Sequence, residues 1–234
     1  MHFNTPLIEG ILIRRYKRFL ADIRLADGRM VTAHTPNTGA MTTCSDPGAR
    51  VWLRDTNNPQ RKYPFSWELV ETASGELVGI NTGLSNALVR EGIENGTIGE
   101  LQGYRNIRAE VTYGAENSRI DLLLEESQSS DCYVEVKNVT LVEGNLALFP
   151  DAVSARGARH LRELALMAQQ GYRAVMLFCV QRSDADAVSP ADAIDPVYGQ
   201  SLRHALAQGV EILAYSACVN TEGIYLQRSL AVKC

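Results

Sequence analysis

The chain has 234 residues, 45% of them hydrophobic and 21% charged, a composition that supports a full globular core. No run approaches the ~20 apolar residues that a membrane-spanning helix needs, and Met1 to Pro6 lack the basic start and apolar run of an export signal, so no membrane partner and a cytoplasmic location are expected. The net charge of −4 argues against a uniformly basic nucleic-acid binder, and 5 scattered cysteines without a C-x-x-C pair argue against a disulfide framework or a zinc site.

In chain order, the first third reads as short strands between turn signals. Phe19 to Leu25 and Met30 to His34 flank the hairpin signal Ala26-Asp27-Gly28. The loop Pro36-Asn37-Thr38-Gly39 leads on to Arg50 to Arg54, Tyr63 to Glu71 and Leu77 to Ile80. About five short strands without a helix predict a small barrel of the OB type over residues 1–81. The character changes near Asn81. Thr82 is expected to cap a helix carrying Leu84, Leu88 and Glu91, with Gly96 after its end. Strands follow at Ile107 to Tyr113, Arg119 to Glu125 and Cys132 to Lys137, the first two joined by a turn at Gly114-Ala115-Glu116-Asn117. A helix from Ser154 to Gln170, an apolar strand Ala174 to Val180, a helix Val197 to Gln208 and a strand Val210 to Tyr215 complete an α/β unit with a mixed sheet over residues 82–234.

Charge is uneven along the chain. Residues 1–80 hold 10 Lys and Arg against 8 Asp and Glu, whereas the remainder holds 13 against 19. Arg14, Arg15, Lys17 and Arg18 interleave with Tyr16 and Phe19, and Arg61 and Lys62 stand in a later loop. Such a surface suits backbone phosphates; a solvated strand face is the alternative.

Chemistry gathers on two strands. Side chains alternate across a sheet, so Ile120, Leu122 and Leu124 are expected to share one face, and Cys132, Val134 and Val136 another. The polar loop Glu126 to Asp131 predicts an antiparallel hairpin, and burying both apolar sets together pairs Leu122 with Val134. Asp121 then opposes Glu135, and Arg119 opposes Lys137. Two facing carboxylates repel unless a cation intervenes, and hard oxygen ligands favour Mg²⁺, with Mn²⁺ as substitute. A metal, an activated water and Lys137 are the parts of a phosphodiester-hydrolysing site, with Asp121 and Glu135 as ligands. A surface hairpin with weak salt bridges is the duller reading.

The runs His34 to Met41, Tyr113 to Asp121, Tyr133 to Leu141, Phe149 to Ala152 and Arg156 to Leu164 resemble the bacterial sugar fermentation stimulation protein A family over essentially the whole chain. The resemblance implies an OB-like domain followed by one similar to PD-(D/E)xK nucleases, with Asp121, Glu135 and Lys137 at the matching positions. Ile120 stands where the nominal Pro would be, which removes no chemical group. The family is described as DNA-binding and linked to regulation of sugar utilisation, without an established nuclease activity. Relatives of the nuclease type often add a carboxylate from the preceding helix, here Glu91. Arg156, Arg159, His160 and Glu163 recur at helical spacing: Arg156 and Arg159 would grip phosphates and His160 beside Glu163 would serve as a base, or the four form an ordinary charged helix face with a solvated histidine. The 36–39 loop is either an anion-binding nest or a turn that locks the two domains together. With no helix-turn-helix signal, binding is expected to be backbone-driven, to DNA in preference to RNA. Oligomeric state is left open.

Overall fold

Alternating apolar residues in the first third wind into a barrel. In the computed structural model, which describes residues 1–114, 116, 118–128 and 130–234, its strands are β1 (Ile8–Tyr16), β2 (Leu20–Leu25), β3 (Met30–His34), β4 (Arg50–Asp55), β5 (Phe65–Glu71) and β6 (Leu77–Gly79). β1 pairs with β2 and β4, β2 with β3, and β4 with β5; a parallel β3–β5 pairing closes five strands into an OB barrel, with β6 on its flank. Leu12, Ile23, Ala33, Leu53 and Trp67 fill the interior. The buried Trp67 indole donates to the Leu69 carbonyl at 2.8 Å, as a buried N–H must. β1 is the strand that the turn signals do not delimit. A bulge between Leu12 and Arg14 breaks its alternation, so that the neighbours Ile13 and Arg14 are both exposed.

The second part runs α1 (Ser85–Glu94), β7 (Asn106–Tyr113), β8 (Ser118–Glu125), β9 (Cys132–Val139), β10 (Leu141–Glu143), β11 (Leu146–Phe149), α2 (Ala155–Gln169), β12 (Arg173–Val180), β13 (Ala187–Pro190), α3 (Pro196–Ala207), β14 (Glu211–Asn220), β15 (Gly223–Ser229) and β16 (Ala231–Val232). The main sheet has the order β15-β14-β12-β9-β8-β7. β12 runs parallel to both β9 and β14, and the outer pairings are antiparallel. A second sheet, β10-β11-β13-β16, was not expected from the sequence, since its strands are only 2–4 residues long. The helix predicted from Thr82 begins three residues later. Asn81 caps a short 3₁₀ turn instead, its side chain accepting from the Gly83 amide. Of the expected turn after β7, Ala115 and Asn117 lie outside the described residues. Gly114 beside it has φ 69°, and a Cβ there would overlap Glu163 Oε2 at 1.2 Å, so only glycine fits.

Both faces of the main sheet are buried, which corrects the expectation of one apolar and one charged face. Leu122, Leu124, Cys132, Val134 and Val136 pack toward α1 and, with Trp52 and Leu69, join the barrel to the sheet. Leu123 packs with α2 and α3 on the opposite side, and so does Ile120, against expectation. The strand therefore changes face at Asp121. The 36–41 loop locks the two parts together. Arg15 donates to the carbonyls of Asn37, Gly39 and Ala40, Thr82 donates to the Pro36 carbonyl, and the Met41 amide donates to Asp151 Oδ2 at 3.0 Å. Among the described residues, no helix is long and apolar enough to cross a membrane.

Candidate active site

The β8–β9 hairpin has the register expected from its hydrophobic pattern: Leu122 faces Val134, Leu123 faces Tyr133 and Leu124 faces Cys132. The ladder stops at Leu122, and the reason is Asp121. Its Oδ2 accepts the Val136 amide at 2.8 Å, occupying the place of a cross-strand carbonyl, and its Oδ1 accepts Asn86 Nδ2 from α1 at 2.9 Å. Asp121 thus splits the strands where the apolar pattern changes face. Arg119 accordingly does not reach Lys137; it is exposed and meets Glu110 at 3.3 Å.

Glu135 and Lys137 lie on the α2 side of β9, opposite Val134 and Val136. Glu135 is buried, and its Oε1 accepts hydrogen bonds from Lys137 Nζ and from His160 Nδ1. Arg156 Nε donates to His160 Nε2 at 3.2 Å. A guanidinium only donates, so Nε2 holds the lone pair and the ring carries its proton on Nδ1, aimed at Glu135. Lys137 Nζ stands 3.2 Å from the same Nδ1, gathered with it around one oxygen. The other oxygen, Glu135 Oε2, is buried without a hydrogen-bond partner among the described residues. Such an orphaned acceptor carries a desolvation penalty of about 1–3 kcal/mol, more when charged.

The two carboxyls are tuned in opposite directions. Burial, then the charge of Glu135, raises the Asp121 pKa above the ordinary carboxyl value, against the bonds from Val136 and Asn86. For Glu135, burial alone also pushes upward, but the His160 bond and the Lys137 charge outweigh it and hold the pKa low. They share an open cleft of about 220 Å³ lined also by Thr82, Ser85, Asn138, Arg156 and the backbone of Val136. Ser85 and Gln181 anchor Asn138 at 3.0 and 2.6 Å, fixing the floor.

Other expected residues fall elsewhere. Glu91 is not brought to the site; it holds the N-terminal ammonium at 2.6 Å. α1 instead presents Asn86, its second residue, which the sequence reading missed because an amide in the first turn of a helix carries no charge signal. His160 and Glu163 are buried, so α2 does not present them as a solvated charged face; they pack toward the sheet with Leu161 and Leu164. Arg156 is exposed at the rim, while Arg159 is half-buried with its Nε unpartnered among the described residues. In the basic cluster, Arg14 is paired with Asp22 at 2.8 Å and Arg15 is used up on loop carbonyls. Lys17 and Arg18 occupy the exposed β1–β2 turn. Arg61 and Lys62, from the β4–β5 loop, line a separate cleft of about 350 Å³ on the barrel.

Among the described residues, no three His, Cys, Asp or Glu side chains form a metal-binding group. An ion here would rest on Asp121, the orphaned Glu135 Oε2, water and a substrate oxygen. Few protein ligands and several waters are what Mg²⁺ accepts.

Comparison with known proteins gives a consistent result. The family model described as "SfsA N-terminal OB domain" matches residues 13–80, and that described as "Sugar fermentation stimulation protein RE domain" matches residues 83–223. A sugar fermentation stimulation protein homolog from Geobacter metallireducens is 61% identical over 232 residues, covering 99% of each chain. One from Thioalkalivibrio sulfidiphilus is 58% identical over 233 residues, 99% of this chain and 98% of the relative. The solved structure of Pyrococcus furiosus SfsA in complex with Ca²⁺ superposes with a TM-score of 0.90 at 31% identity, covering 100% of this chain and 98% of that one. The barrel, the mixed sheet and these full-length likenesses together establish that the chain belongs to the sugar fermentation stimulation protein family.

Proposed function

We propose that this protein binds nucleic acid, DNA in preference to RNA, and that the cleft at Asp121, Glu135 and Lys137 is a divalent-cation-dependent site for phosphodiester hydrolysis. One observation carries the reading: a buried carboxylate oxygen, Glu135 Oε2, without a partner among the described residues, in a cleft shared with a second carboxylate whose ionisation is opposed by burial and by Glu135 itself. A divalent ion relieves both penalties, and the Ca²⁺ complex of the Pyrococcus furiosus relative supports an ion-binding role in the family. Mg²⁺ fits the oxygen ligands, with Mn²⁺ able to substitute; when bound, it supplies Lewis acidity and an activated water.

The chain's own residues would divide the work. Asp121, pinned by Val136 and Asn86, holds its carboxylate still; His160 fixes the rotamer of Glu135. Lys137 offers its ammonium to a non-bridging phosphate oxygen, and Arg156 at the rim orients the backbone. Labelled DNA incubated with Mg²⁺ or Mn²⁺ tests this. The parent should cut, whereas Glu135→Gln and Lys137→Ala should lose activity by orders of magnitude; cutting that survives Glu135→Gln would refute the assignment. A second reading, regulatory DNA binding without cleavage, is favoured by the convergence of Lys137 and His160 on Glu135 Oε1, which already neutralises part of the acidic charge. It corresponds to the regulatory role in sugar utilisation that the family's name suggests, and a parent that binds DNA but never cuts would select it.

A further inference from the structure

Between the barrel cleft and the acidic cleft lies a middle cleft, set off from the barrel cleft by a ridge at Pro36 and Thr82. The barrel cleft is lined by His34, Pro36, Arg54, Arg61, Lys62, Tyr63, Ser66 and Asn81. A middle cleft, also about 350 Å³, begins at Asn37 and Thr82, the chain neighbours of Pro36 and Asn81. It shares Thr82, Lys137, Asn138 and Arg156 with the acidic cleft. The ridge is the pair of hydrogen bonds from Thr82 N and Oγ1 to the Pro36 carbonyl, at 3.3 and 2.7 Å. Consecutive Cα atoms stand ~3.8 Å apart, so the linings of the barrel and middle clefts come within one residue of each other at both Pro36–Asn37 and Asn81–Thr82.

The barrel end of this path has its own chemistry. Arg54 is tied to the buried Glu68 at 3.0 Å, but Arg61 and Lys62 have no carboxylate partner among the described residues. Lys62 lies over the Tyr63 ring at 5.6 Å, and the His34 ring lies 6.5 Å from that of Phe19, tilted by 36°, the phenyl ring left 45% exposed beside the cationic Lys17–Arg18 turn. Arg61 and Lys62 flank the half-buried Tyr63 ring in the β4–β5 loop, and the exposed Phe19 ring stands beside Lys17 and Arg18 in the β1–β2 turn of the OB barrel. Cations alone would suit any phosphate. Aromatic rings stack on base faces, which are out of reach in a duplex and available in an unpaired strand. We infer that these three clefts form one track for a single-stranded nucleic acid, held on the barrel by Phe19, Arg61, Lys62 and Tyr63 and led past Thr82 to the acidic site. This rests on the reading above and narrows its substrate class.

The test measures fluorescence anisotropy of the full chain with a labelled oligothymidylate and with a blunt duplex of equal length, in chelator. Working without metal keeps the track separable from the cleavage reading, which stands or falls on its own assay. The parent should bind the unpaired strand more tightly. Tyr63→Ala and Phe19→Ala should each weaken that binding about tenfold and duplex binding far less. The exposed Arg61→Ala/Lys62→Ala pair should flatten the salt dependence by about 0.7 per lost phosphate contact. Melting temperatures equal to the parent's certify that the variants are folded. Equal affinity for strand and duplex, or ring variants that bind like the parent, would overturn the track. Thymidine monophosphate competing as tightly as the oligonucleotide would also overturn it, since the barrel cleft would then be a small-molecule site.

Discussion

Asp121→Asn should make the metal-free protein more stable. Asn keeps the shape and can still accept the Val136 amide with its Oδ1, while the Asn86 amide can turn to present an acceptor to the new NH₂ group. Two charge-assisted hydrogen bonds become neutral ones, which on its own destabilises. The raised pKa of Asp121 decides the balance, because it means that burial and the Glu135 charge outweigh those bonds when the carboxylate is ionised. A carboxyl whose pKa rises on folding supports the fold fully below its unfolded value and loses that support as pH rises through the folded value. At neutral pH the parent therefore carries a net penalty that Asn removes. The relief is about 1 kcal/mol, the ordinary size for neutralising a strained functional group, and for a chain of this length it raises Tm by about 2–4 °C. A divalent ion should reverse the order, since ion at ~100 times its Kd stabilises the parent by about 2.7 kcal/mol and Asn is a poor ligand. Circular-dichroism melts in chelator and in excess Mg²⁺ measure both arms. A lower Tm for Asp121→Asn in chelator, or equal shifts by Mg²⁺ in both proteins, would refute the reasoning.

Two further outcomes follow from the same structure. Arg15→Ala removes the donors that hold the Asn37, Gly39 and Ala40 carbonyls. It should cost about 2 kcal/mol and speed amide exchange of the loop amides, including Met41, as the barrel works loose from Asp151. Glu135 has a lowered pKa, so its contribution is present above the ordinary carboxylate value and fades as pH falls through the folded value. The stability gap between parent and Glu135→Gln, followed by urea unfolding in chelator, should narrow on acidification below about pH 4.5; a gap that widens there would contradict the assigned network.

Much of this was legible in the sequence because hydrophobic alternation is a strong constraint. Leu122, Leu124, Cys132 and Val134 determine the hairpin register, and Gly171 and Gly209 mark the ends of α2 and α3 with φ of 89° and 92°. What escaped depends on three-dimensional packing. Asp121 was placed beside Glu135 by simple alternation, yet it reaches the cleft by breaking the ladder, which shifts Ile120 to the other face and releases Arg119. Glu91 was expected at the site from the resemblance to nucleases of this type, and nothing in the sequence reveals that the N-terminal ammonium lies against it. His160 looked like a solvated histidine because a charged helix and one buried against a polar strand face share the same spacing. The short strands β10, β11, β13 and β16 carry too few residues to show a period.

The most direct test of the central claim is the anomalous scattering of Mn²⁺ in crystals of this protein. The account predicts a peak in the cleft between Asp121 and Glu135 Oε2, absent in Glu135→Gln crystals grown the same way. A saturating soak with no peak there, or an unchanged peak in the Glu135→Gln variant, would contradict it.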